Sequence, residues 1–162
     1  MENKFQDLEK AFQDEVSMYQ NLLILETSKK EAILRSDAKN LESFTKKSSE
    51  YMSILQGIEQ KRIKLVEAIV QKKEEQITLS DFLNSLEKTV QTKFKPLADK
   101  LKSTVQELKE KIIINESLLK SKLEIFSMSI EALKNAAEPV HSETYGENKS
   151  KSRTNIMLNK VV

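Results

Sequence analysis

Few side chains in this sequence are placed to do chemistry. Its one histidine, His141, stands in a polar stretch with no acid or nucleophile spaced to serve it, and reads as a solvated loop residue. There is no cysteine, which removes disulfides and thiolate metal sites and fits a reducing compartment. The two glycines, Gly57 and Gly146, are too far apart for a phosphate-cradling loop. Acidic residues are plentiful, but they are spaced like ordinary helix surface. Glu107 and Lys111 form an i,i+4 pair, which supports a helix by a few tenths of a kcal/mol and is no acid–base couple. No catalytic, cofactor-binding or metal-binding residue is assigned, and an enzyme is not expected.

What remains is chemistry of contact. Between residues 112 and 133 the apolar content exceeds what one helix seam needs: Ile113, Ile114, Leu118, Ile125 and Met128 fall off the seam, and Leu133 closes the stretch. Packing against neighbouring helices is the plainer reading. The sharper one is a surface for a partner's amphipathic helix, whose anchors recur three and four residues apart. Further on, Tyr145 precedes Gly146 in a polar context. A tyrosine there is often incidental, yet as a contact it supplies a large apolar body with a hydrogen-bonding tip. A late Ile156-Met157-Leu158 run strengthens the contact reading.

Helices must position these residues. From Met1 to about Ala137 the chain holds one glycine, Gly57, and one proline, Pro96. The first predicted helix runs from about Asn3 to Arg35, with Phe5, Leu8, Phe12, Val16, Tyr19, Leu23 and Ile33 on one face. Ser36-Asp37 supplies a break and an N-cap. The second runs from about Ala38 to Glu75 on a heptad seam: Leu41, Phe44, Ser48, Tyr51, Leu55, Ile58, Arg62, Leu65, Ile69. Ser48 and Arg62 interrupt that seam and are expected near the surface of a thin bundle. Gly57 costs about 1 kcal/mol relative to Ala and invites a close helix approach or a bend.

At Thr78-Leu79-Ser80-Asp81 a cap-like sequence restarts the pattern, and Phe82, Leu83 and Leu86 give a short helix. Pro96 belongs in the first turn of a final helix, or else kinks a continuous one. That final helix is expected from about Lys95 to Ala137, with a seam of Leu97, Leu101, Val105, Leu108, Ile112, Asn115, Leu119, Leu123, Phe126, Ile130 and Leu133. Asn115 is read as solvated in preference to fixing register. The fold class is thus all-α: an elongated antiparallel bundle of two long helices, a short helix and a long final helix. It forms one domain over 1–137, followed by a disordered tail over 138–162.

Bulk composition agrees. Of 162 residues, 32% are charged and 6% aromatic, a balance of long narrow helices rather than a thick core. The net charge of +2 is spread along the chain, without the one-sided basic stripe of a nucleic-acid binder. No apolar run nears the roughly 20 residues that span a bilayer, and Met1-Glu2-Asn3-Lys4-Phe5 lacks a signal-peptide layout. Neither nucleic acid nor membrane insertion is expected, and the compartment is read as cytoplasmic.

The arrangement resembles the FlgN family of flagellar export chaperones. The likeness rests on the break at Arg35-Ser36-Asp37 with Leu41 and Phe44, the restart at Ile77-Thr78-Leu79-Ser80, and the close of the last helix at Asn135-Ala136-Ala137. It rests most on the ending, Thr144-Tyr145-Gly146 followed by Asn155-Ile156-Met157-Leu158-Asn159-Lys160-Val161. Glu147-Asn148 departs from the pattern, which leads to a further glycine. The resemblance implies a non-enzymatic, cofactor-free cytoplasmic chaperone. Its partners would be flagellar hook-associated (junction) proteins and the type III export gate. Client binding would map to Ile113, Ile114, Leu118, Ile125, Met128 and Leu133. Export-gate docking would map to Tyr145 and Gly146, with a tail contact at Ile156, Met157 and Leu158. A monomer or weak homodimer is expected. The rival reading is a coiled-coil scaffold that homodimerises through the second helix's heptads.

Overall fold

The computed structural model describes residues 2–71 and 77–137. Within them lie four α-helices and no strand: α1 (Glu2–Arg35), α2 (Ala38–Val70), α3 (Leu79–Ser85) and α4 (Lys88–Ala137). The predicted close of the second helix at Glu75, and the whole of 138–162, fall outside the described residues. Backbone contacts group Met1–Ile125 into one compact unit and begin a second at Phe126.

Helix boundaries follow the local chemistry. α1 ends where Ser36 adopts a left-handed φ of 55°, and the Asp37 N–H returns to the Ala32 carbonyl at 2.8 Å. The same Asp37 opens α2, its carboxylate accepting from the Asn40 N–H at 3.1 Å. Thr78 caps α3 as its sequence suggests, accepting from the Asp81 N–H at 3.1 Å. Leu86, expected inside the short helix, is instead its extended C-cap.

α4 starts at Lys88, not near Lys95, so Pro96 sits inside a continuous helix. The proline removes the N–H that would have answered the Thr92 carbonyl. Its side chain is exposed, which spares the core its ring.

Within the first unit, contacts rise together along α1 and α4. Phe12 meets Phe94, Glu26 meets Asn115, and Leu34 meets Lys122. These two helices are therefore parallel. α2 runs the other way, with Arg62 on Glu15 and Leu55 beside Leu22. The result is an up-down-up arrangement of the three long helices.

The core is uneven along its length. At the end where α1 begins, Phe94 lies within about 6 Å, centroid to centroid, of Phe5, Phe12 and Phe82, and Leu8, Val16, Val66, Ile69, Ala98 and Leu101 complete the cluster. Tilted and edge-on rings of this kind add to plain area burial. Further along, only Leu22, Leu55 and Leu108 form a second buried cluster, flanked by half-buried Tyr19, Leu23, Tyr51 and Ile112.

Three polar seam positions differ from expectation. Arg62 is only 15% exposed. It donates to Glu15 at 2.6 Å and lies 5.7 Å from the Phe12 ring centroid. Ser48 is buried, and its hydroxyl has no hydrogen-bond partner. Asn115 is buried as well. A thin bundle was expected to leave such groups near water. Instead, α1 supplies partners to two of them, Glu15 to Arg62 and Glu26 to Asn115, and a long arginine stem can cover apolar surface while its head finds a partner. The close-approach reading of Gly57 also fails, because a Cβ there would meet nothing within 4 Å.

Candidate functional site

Two surfaces stand out, one a line of exposed apolar side chains and the other a groove. The first lies on α4. Ile113, Ile114, Ile125, Met128 and Leu133 are exposed, between 48% and 69%, while Leu118 is half-buried. The sequence placed these residues on a face wider than intramolecular packing requires.

Reading the sequence missed a second set on the same helix. Leu123, Phe126 and Ile130 continue the core seam in steps of three and four, yet they are 60%, 65% and 38% exposed. Helix length was the available signal. α1 has 34 residues and α4 has 50, so one cannot cover the other along its whole length. Lys122 marks the change, its ammonium donating to the Leu34 carbonyl and the Ser36 hydroxyl at 2.6 and 2.9 Å. A cation on the last carbonyls of α1 suits the negative end of that helix. Every residue in 126–137 is exposed.

The groove lies within the first unit. α1 forms its floor through Leu22, Glu26 and Ile33, and α2 and α4 form its walls. It encloses about 480 Å³. On the floor, Asn115 donates from its amide to the Glu26 carbonyl and carboxylate, both at 2.8 Å, and Lys29 holds the other carboxylate oxygen at 2.7 Å. Lys29 and Asn115 thus satisfy both oxygens of a nearly buried carboxylate.

Deeper in the bundle, burial pushes the Glu15 carboxyl above its ordinary value. The Arg62 guanidinium opposes that shift and does not overcome it. The same burial raises the Tyr19 phenol, helped by the Glu15 carboxylate. Glu15 is 1% exposed, enclosed within the bundle with its carboxylate on Arg62. Among the described residues no group of three or more His, Cys, Asp or Glu could hold a metal ion, and no helix is long and apolar enough to cross a membrane. His141, Tyr145, Gly146, Ile156, Met157 and Leu158 lie outside the described residues.

Across the described residues the fold is that of an all-helical bundle with an exposed apolar helix face and an inter-helix groove. The particular family follows from comparison: the family profile described as FlgN protein matches residues 1–153, and the chain belongs to the FlgN family. That family is one of flagellar export chaperones, with a role in flagellum biogenesis. No curated protein and no solved structure matches the chain.

Proposed function

We propose that this chain is a cytoplasmic chaperone for flagellar hook-filament junction proteins. It binds their helical termini, prevents premature assembly and delivers them to the type III export gate. Family membership supports the general role. The observation that carries the finer reading is the exposed apolar run on α4, from Ile113 through Phe126 to Leu133. Exposed residues with helical spacing match the apolar stripe of a coiled-coil-like client segment. Such a client would self-associate if its stripe were left uncovered. Tyr145 with Gly146 would then dock at the export gate, and Ile156, Met157 and Leu158 would add a tail contact.

The scaffold reading loses its main support. It requires the α2 heptads to face a second copy, but Leu55 and Ile69 are buried in the chain's own core and Tyr51 and Leu65 are half-buried against it. A monomer or weak homodimer is the expected state of the free protein.

The test is charge insertion on α4. Ile125→Glu with Met128→Glu should leave the helical content and melting temperature close to those of the wild type, since both positions are exposed. Calorimetry with a purified hook-associated protein should show affinity reduced by several kcal/mol, the cost of an unpaired carboxylate buried at an interface. Undiminished affinity in a folded double variant would move the client surface elsewhere.

A further inference from the structure

Several lysines of the bundle have partners. Lys93 meets Glu9 at 2.6 Å, Lys29 meets Glu26 at 2.7 Å, and Lys122 meets the end of α1. Lys88, Lys95, Lys102 and Lys109 do not. All four are exposed, and among the described residues none of their ammonium groups takes part in an ion pair or a hydrogen bond. They recur at every seventh residue of α4. A straight helix drifts about 20° per heptad, so the four lie within an arc of about 60°. At about 1.5 Å per residue the row is about 32 Å long. The near-neutral charge of the whole chain hides it, because acids elsewhere balance the count.

Between the lysines on this face stand Thr92, Asp99, Ser103 and Gln106, all exposed and none of them apolar. Asp99 is the acid within the row, and Glu110 lies at its edge, held by the Gln106 amide at 3.0 Å. The same stretch of α4 turns Phe94, Ala98, Leu101 and Leu108 into the core, so the row looks away from it. From this arrangement we infer that the lysine row of α4 is a peripheral docking surface for an anionic lipid bilayer, held by charge and without insertion. The inference goes beyond the chaperone reading and does not depend on it, since none of the four lysines belongs to the apolar α4 face.

The geometry selects a planar occupant. A partner helix would need an apolar seam beside the charges, as the charged flanks of a coiled coil have, and Thr92, Asp99, Ser103 and Gln106 provide none. Duplex DNA winds through a full turn in about 34 Å, so a phosphate strand curves away from a straight row of this length. Lipid headgroups form a plane, which all four ammonium groups reach together on flexible four-carbon stems. Each lysine near an anionic surface strengthens attachment about fivefold. Four of them give an attachment that is measurable, reversible and sensitive to salt. Asp99 opposes it.

Sedimentation of the full-length chain with lipid vesicles tests this. Vesicles of mixed phosphatidylglycerol and phosphatidylcholine should carry the protein down at low salt, and vesicles of phosphatidylcholine alone should not. At about 1 M salt, where the Debye length is about 3 Å, the association should vanish. Changing Lys88, Lys95, Lys102 and Lys109 together to Gln should weaken it by about two to three orders of magnitude while the circular dichroism melt is retained. Asp99→Asn, a single change at an exposed position, should strengthen it about fivefold, and no loss of fold can imitate a gain. Absence of wild-type binding to the anionic vesicles at low salt overturns the inference. So does equal binding by the wild type and the quadruple variant, which would place the attraction elsewhere in the chain. Retention on an acidic protein or on duplex DNA that depends on these lysines, without vesicle binding, overturns it as well and assigns the row to that partner instead.

Discussion

The Asn115 amide donates to Glu26 twice, once to its backbone carbonyl and once to its carboxylate, each at 2.8 Å. One polar side chain thereby fixes the register of α4 on α1, because a slip of a single turn would strand both groups inside the bundle. Hydrogen bonds to charged, buried groups are the strong ones, and the penalty for leaving them unmade exceeds their net worth.

Replacing Asn115 by Leu should therefore destabilise the protein by about 2 kcal/mol despite adding apolar volume to a seam position. Urea denaturation of the variant measures this directly. A variant as stable as the wild type would mean that Leu108 and Ile112 set the register without it.

Stability should also respond to pH through Glu15. Its folded-state pKa is raised, chiefly by burial, with Arg62 acting in the opposite sense. A raised carboxyl pKa favours folding most when the group is protonated. The contribution is complete below the unfolded value and is lost as pH rises through the folded one. The stability of the wild type relative to Glu15→Gln is expected to increase as pH falls from 7 toward the ordinary carboxylate range. Paired denaturation curves at several pH values test the sign. A relative loss on acidification would show that the ion pair with Arg62, at 2.6 Å, outweighs desolvation.

Gly57 offers a simpler gain. It sits inside α2 with open space where a Cβ would be. Gly57→Ala should stabilise the fold by about 1 kcal/mol through reduced backbone entropy of the unfolded chain. A higher melting temperature with unchanged client affinity is the expected pair of readouts.

Tyr145→Ala should separate docking from holding. The variant is expected to melt like the wild type and to bind a hook-associated protein normally, yet to secrete it poorly, leaving hooks with few filaments. As the anchor of a short motif the tyrosine would contribute about 2 kcal/mol or more to a transient contact. Normal secretion and motility in a strain carrying only this substitution would make the residue incidental.

The helices were legible because their signals are local. The Ser36-Asp37 break, the Thr78 cap and the three-four spacing of Leu8, Phe12, Leu55, Leu101 and Leu108 each depend on residues a turn or two apart. The pairing of Asn115 with Glu26 and of Arg62 with Glu15 was not legible. Each joins residues 89 and 47 positions apart, and a polar side chain on a seam reads the same whether it meets water or a buried partner. The start of α4 was misplaced for another reason. Proline is a helix breaker by propensity, but apolar burial of Phe94 and Ala98 on either side of Pro96 carries the helix through it. The exposed α4 face was half legible. Its off-seam residues stood out as surplus, whereas Leu123, Phe126 and Ile130 looked like core because the seam gives no sign of where its partner stops.

The uneven core has a further consequence, for how the protein comes apart. At one end, aromatic rings from α1, α3 and α4 interlock. At the other, the walls are serine, threonine and half-covered aliphatics, with a groove between them. Apolar contact sets how much free energy a local opening requires. Amide hydrogen exchange is therefore expected to be faster along Leu41–Met52 than around Phe12 and Phe94.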